Sequence, residues 1–197
     1  AVTDAMTTNE TSFLRDGKPF DNFKKIMLPD LLQRNAATKR IRIWSSACSS
    51  GQEPYTLAML LKEEGTKLAG WTIEILATDL SNDILEKAKK GEYSQFEVQR
   101  GLPVTMLMKY FVQKEDRWQI KPEIQQMITF RSANLLEPYV TMGKFDVIFC
   151  RNVLIYFDRA LQNRVFNLFK ESLCENGVLC LGSKESVRLS THSECFD

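Results

Sequence analysis

Four polar side chains stand just beyond short apolar runs: Glu53 in "ACSSGQE", Asp79 in "ATDL", Asn134 in "SANLLEP" and Asn152 in "CRNVLIYF". In an open parallel sheet, ligands bind outside the carboxyl ends of the strands, near the point where strand order reverses. Four such positions therefore outline a candidate binding cleft. Asp79 holds the place where a carboxylate accepts both hydroxyls of a ribose, which fits any adenosine-containing cofactor. The first turn discriminates among those cofactors. A pyrophosphate needs several glycines and free N–H groups at a helix start. Here Gly51 stands alone, and Glu53 and Pro54 open the helix. A carboxylate at that point repels a diphosphate and tolerates a cation. S-adenosylmethionine carries a sulfonium and an ammonium and no phosphate, so the turn suits it better than NAD. The single glycine is expected to let the backbone pass close to the methionine part of that cofactor.

Each residue also has a purely structural use. Asp79 could cap the following helix, Glu53 could serve as a partner of the helix dipole, and both asparagines could satisfy turn backbone. The binding reading gains weight because all four fall at consecutive strand ends. Cys48 lies in the first turn, but His192 is the single histidine and is far along the chain, which disfavours a thiol nucleophile.

Strand and helix patterns alternate around these residues. "IRIWSSA" (41–47), "TIEILATDL" (72–80), "MITFRSANLL" (127–136), "FDVIFCRNVLIYF" (145–157) and "NGVLCLGS" (176–183) read as strands. Helical spacing covers 53–65, 82–93 and 159–173. This alternation predicts an α/β fold with a doubly wound, mostly parallel sheet. Segment 94–126 breaks the rhythm with a helix, "PVTMLMKYF", and two polar strand candidates, "VQKED" and "RWQIKP". It reads as an inserted antiparallel β-subdomain. "FDNFKKIMLPDLLQRN" near the start reads as helical and packed beside the sheet.

The 197 residues suffice for one domain with a sizeable core. A net charge of +1 gives no reason to expect nucleic acid as the main partner. No apolar run approaches the ~18 residues that span a bilayer, and "AVTDAMTTNET" lacks the pattern of a signal peptide. Five cysteines, an odd number without a CxxC pair, point to a reducing cytoplasm with neither disulfide framework nor metal site.

"TNETSFLRD", "WSSACSSGQEPYTLAM", "ATDLSNDILEKAKKGEY", "SANLLEP" and "FDVIFCRNVLIYFD", in that order, resemble the chemotaxis receptor methyltransferases, the CheR family. The resemblance runs from about Thr8 to Glu185. It implies a Rossmann-like class I methyltransferase domain that transfers a methyl group from S-adenosylmethionine to glutamate side chains on the cytoplasmic helices of chemoreceptors, leaving S-adenosylhomocysteine. It implies that Asn9, Thr11 and Arg15 reach the cofactor from outside the sheet. It adds Leu135 and Val153 to Glu53, Asp79, Asn134 and Asn152 as cofactor contacts. Arg15 would orient an anionic group, and Tyr156 would line the acceptor pocket unless it is a core aromatic.

Family members usually carry a helical domain before the "TN" motif and a final strand after the last segment, so the chain is expected to be an isolated catalytic domain acting as a monomer. Some members grip a receptor-tail pentapeptide through a longer, glycine-containing loop of the β-subdomain. Here that loop, "VQKEDRWQI", is short and lacks glycine, and no pentapeptide tether is expected. Other readings differ in class. A sensor or adaptor could bind S-adenosylmethionine without catalysis. An amino-methylating enzyme would often show an Asn/Asp-Pro-Pro-Tyr/Phe turn where "CRNVLIYF" stands, and a dehydrogenase would need the missing glycines.

Overall fold

A computed structural model describes residues 10–137 and 142–187. The chain opens with α1 (Lys18–Asn22), which continues through a π-helical turn (Phe23–Met27) into α2 (Leu28–Arg34). Then follow β1 (Arg40–Ser46), α3 (Gln52–Glu63), β2 (Thr72–Asp79) and α4 (Asn82–Lys90). The inserted region holds β3 (Glu92–Ser94), α5 (Gln95–Gln99), α6 (Val104–Tyr110), β4 (Phe111–Lys114), β5 (Arg117–Ile120) and α7 (Pro122–Gln125). The main rhythm resumes with β6 (Ile128–Ser132), β7 (Phe145–Cys150), α8 (Arg159–Ser172) and β8 (Leu173–Leu181). Among the described residues no helix is long and apolar enough to cross a membrane.

The large sheet runs β6-β2-β1-β7-β8, with every neighbouring pair parallel. The small sheet runs β3-β5-β4 and is antiparallel. From β1 the chain moves outward on one side to β2 and β6, then returns to the other side as β7. The order therefore reverses between β1 and β7, and a ligand crevice is expected at their carboxyl ends. Side-chain alternation assigns the two faces of the sheet. Ile43, Ile75, Ala77, Val147 and Phe149 join a core with Phe20, Phe23, Leu57 and Ala58. Trp44, Leu76, Ile148 and Cys150 join a second core with Val165, Phe166 and Phe169 of α8.

Several boundaries differ from the sequence reading. The strand expected over 145–157 ends at Cys150, and Leu154–Tyr156 forms a single 3-10 turn. Asn152 takes φ 60°, which breaks the strand despite the apolar run that follows. The helix expected over 82–93 ends at Lys90, because Gly91 adopts the left-handed conformation that closes helices. Glu92–Ser94 then pairs with β5, so the small sheet has three strands where two were expected and begins before residue 94.

The N-terminal segment is anchored by Phe13, which is fully buried. Its ring meets Tyr93 edge-on at 5.0 Å and Phe111 at 5.6 Å. A Cβ on Gly101 would stand 2.1 Å from the Phe13 carbonyl oxygen, so that close approach requires glycine. Phe13→Ala is expected to lower unfolding free energy by about 3 kcal/mol, at the low end for buried aromatics. A urea melt showing a midpoint within error of the parent would refute this anchoring role.

Candidate functional site

β1 hands over to α3 through Ala47–Gly51, a turn with three left-handed residues: Ala47 at φ 54°, Ser49 at φ 50° and Gly51 at φ 93°. Only one is glycine, so the backbone is bent at two positions where sequence alone shows no licence for it. Asp79 accounts for one of them. Its Oδ2 accepts the Ser49 N–H at 2.8 Å, and its Oδ1 accepts the Ser81 N–H at 3.1 Å. The Cys48 N–H reaches the Thr78 carbonyl at 2.9 Å. From the far side, the buried Tyr93 hydroxyl donates to the Ser50 carbonyl at 2.7 Å. The turn is thus clamped between β2 and the small sheet.

Gly51 has a packing use as well. A Cβ there would meet Ala88, Tyr55 and Tyr93 within 3.1–3.2 Å, so its bare face packs inward against α4 and β3. Ala47, Cys48 and Ser49 are the turn residues that line the cavity. Asp79 also does not cap α4. Ser81 does so, accepting from the Ile84 N–H.

The cavity, about 310 Å³, opens at the carboxyl ends of the parallel strands. Glu53, Asp79, Asn134, Leu135, Asn152, Val153 and Tyr156 line it, and Thr11 and Arg15 reach it from the N-terminal segment. Asn9 lies outside the described residues. Asn134 Oδ1 accepts the Leu136 N–H at 3.0 Å, so it also shapes its own turn. Tyr156 is 61% exposed, which removes the core-aromatic alternative.

Glu53 is more constrained than a carboxylate waiting for a cation. Its Oε1 accepts the Ser45 hydroxyl at 2.8 Å, and its Oε2 accepts Nη1 of Arg151 at 3.1 Å. Burial pushes its pKa up, and the Arg151 charge and the two hydrogen bonds work against that rise. Arg151 itself was missed in the sequence reading, although it is the one basic residue inside "DVIFCRNVLIYF". Only 2% of its side chain is exposed. Its Nη2 donates to the Arg15 carbonyl at 2.8 Å and to the Asp16 carboxylate at 2.7 Å, and its guanidinium lies over the Phe20 ring at 5.2 Å.

Glu185, kept in "GSKES" where the resembled family has "GHSE", lies outside the expected site set. Its carboxylate gathers the backbone N–H groups of Asn152, Val153, Leu154 and Gly182 at 2.7–2.9 Å. That nest of donors fixes the left-handed Asn152 and turns Val153 into the cavity. No local sequence signal marks a glutamate some thirty residues downstream for this role. Cys48 is 2% exposed, and burial, with Asp79 and Glu53 nearby, holds its thiol well above the ordinary range. It is therefore a protonated lining group and not a nucleophile. Among the described residues no cluster of three or more potential ligands could hold a metal ion.

The family description "CheR methyltransferase, SAM binding domain" matches residues 9–197. The chain is 46% identical over 192 residues to Chemotaxis protein methyltransferase 1 of Pseudomonas aeruginosa, covering 94% of this chain and 69% of that protein. It is 43% identical over 190 residues to Chemotaxis protein methyltransferase Cher2 of Pseudomonas putida, with the same two coverages. It is 40% identical over 191 residues to a chemotaxis protein methyltransferase of Borreliella burgdorferi, covering 94% and 67%.

Removing one partner of a buried ion pair leaves the other uncompensated. Arg151→Met should therefore destabilise the fold by about 3–5 kcal/mol at neutral pH. The loss should shrink on acidification. Glu53 has a folded pKa raised above its unfolded value and would rise further without Arg151, so its protonated form stabilises the variant at low pH and that stability disappears as pH rises through the folded pKa. Urea melts at pH 5 and pH 7 that show equal losses would contradict the assignment.

Proposed function

Because this chain belongs to the CheR methyltransferase family and carries its S-adenosylmethionine-binding domain, we propose that it methylates glutamate side chains on the cytoplasmic helices of chemoreceptors, using the cavity at the carboxyl ends of β1, β2, β6 and β7. The observation that carries the reading is the convergence of Glu53, Asp79, Asn134 and Asn152 in one cavity with Arg15 and Tyr156. These come from five separate stretches of chain. The reading takes the chain as one cofactor-binding unit with an inserted small sheet, working as a monomer in the cytoplasm.

The donor set fits the cofactor. Each oxygen of Asp79 takes one backbone N–H, and a carboxylate has about four acceptor sites. Capacity therefore remains for both ribose hydroxyls. Glu53 is buried and only partly offset by one Arg151 contact at 3.1 Å, so an arriving ammonium would improve its balance. Leu135 and Val153 supply apolar lining beside the two asparagines.

S-adenosylmethionine supplies a methyl group on a positively charged sulfur. The acceptor carboxylate has an ordinary pKa near ~4.3, so it is ionised at neutral pH and no residue must remove a proton. What the chain must do is align oxygen, carbon and sulfur and exclude water from charges that neutralise each other. Arg15 lies in the cavity lining and can orient a carboxylate there, and the exposed Tyr156 flanks the mouth through which an acceptor enters.

Incubation of the protein with receptor-containing membranes and methyl-labelled S-adenosylmethionine should label the receptors, and the label should be released by mild base, as a methyl ester is. Asp79→Ala should abolish both labelling and calorimetric binding of S-adenosylhomocysteine. Binding by the parent without any labelling would favour the adaptor reading. The strands β4 and β5 are joined by Glu115 and Asp116 alone, and so short a turn supports the reading without a peptide tether. Titration with a receptor-tail pentapeptide should accordingly give no heat at micromolar concentrations, and saturable binding there would overturn that expectation.

A further inference from the structure

The N-terminal segment reaches the cavity in an unusual backbone conformation. Leu14 has φ 50°, Asp16 φ 67° and Gly17 φ 57°, so two non-glycine residues within three positions are left-handed. Such conformations persist only where the surroundings over-determine them. On one side stands Phe13, locked among Tyr93 and Phe111, with the Leu14 N–H donating to the Thr56 hydroxyl at 3.3 Å. On the other side stands Arg151, whose Nη2 holds the Arg15 carbonyl and the Asp16 carboxylate together. Arg15 lines the cavity, whereas Asp16 does not.

We propose that Arg151 and Asp16 are positioning residues for the methyl-transfer site: their ion pair sets where the Arg15 guanidinium stands and ties that placement to Glu53. The inference rests on reading the cavity as the S-adenosylmethionine site. Arg151 divides its donors between two carboxylates, at 3.1 Å to Glu53 and 2.7 Å to Asp16. A cation arriving at Glu53 competes with Nη1 of Arg151 for that carboxylate. The guanidinium then leans further on Asp16 and the Arg15 carbonyl, which tightens the hold on Arg15. Coupling between two sites is reciprocal, so a firmly held Arg15 also strengthens binding of the amino-acid end of the cofactor. Asp16 thereby influences a ligand that it does not touch.

Asp16→Asn tests this. Asparagine tolerates the left-handed region as aspartate does, and the Asp16 side chain is 42% exposed, so the thermal midpoint should stay near that of the parent. Calorimetric affinity for S-adenosylhomocysteine should nevertheless fall roughly tenfold, equivalent to about 1.4 kcal/mol. In an Arg15→Ala background, Asp16→Asn should have almost no further effect, because its influence passes through Arg15. Unchanged affinity in Asp16→Asn, or effects that simply add in the double variant, would overturn the proposal. Since the readout is binding, failure of the parent to label receptors would count against the glutamate methyltransferase reading and leave this test intact.

Discussion

A guanidinium with 2% of its side chain exposed has to find its partners within the protein, and Arg151 does so at the point where strand order reverses. Desolvating a charge is expensive unless geometry and hydrogen bonds compensate. The compensation comes from Glu53, 98 positions earlier in the chain, and from Arg15 and Asp16, 136 and 135 positions earlier. One buried cation thus fastens the start of α3 and the N-terminal segment to the end of β7. The same contact places a carboxylate in the cavity, raised in pKa by burial, with the Arg151 charge working against that rise.

Carboxylates also shape the backbone elsewhere around the cavity. Asp79 holds two N–H groups at the ends of β1 and β2, and Glu185 holds four around the end of β7. Dinucleotide-binding turns achieve close backbone approach with glycines. Here Ala47, Ser49 and Asn152 take left-handed conformations instead, and at Ser49 and Asn152 an anionic acceptor draws the bent N–H toward itself. Charge-assisted hydrogen bonds of this kind are stronger than neutral ones, which is how residues with side chains are held where glycine would be the default.

The small sheet takes part in this arrangement through aromatic packing. Tyr93 of β3 supports the first turn through its hydroxyl and supports Phe13 through its ring. Phe111 of β4 closes the other side of Phe13. The inserted region thereby braces both the turn and the N-terminal segment that carries Arg15 to the cavity.

The sequence by itself determined the alternation of strands and helices, the parallel sheet and about half of the cavity lining. Alternation of buried strands with amphipathic helices is a local signal, and so is a polar residue at the end of an apolar run; Glu53, Asp79, Asn134 and Asn152 were all found that way. Family resemblance added Thr11, Arg15, Leu135 and Val153, which carry no periodic signature. Only the tertiary structure decided who partners whom. It gave Gly51 a packing role and paired Glu53 with Arg151. It also revealed the contacts of Phe13, Arg151 and Glu185, which are made across long stretches of chain. Hydrogen-bond satisfaction of a buried charge is a property of distances between residues remote in sequence, and spacing along the chain does not encode those distances.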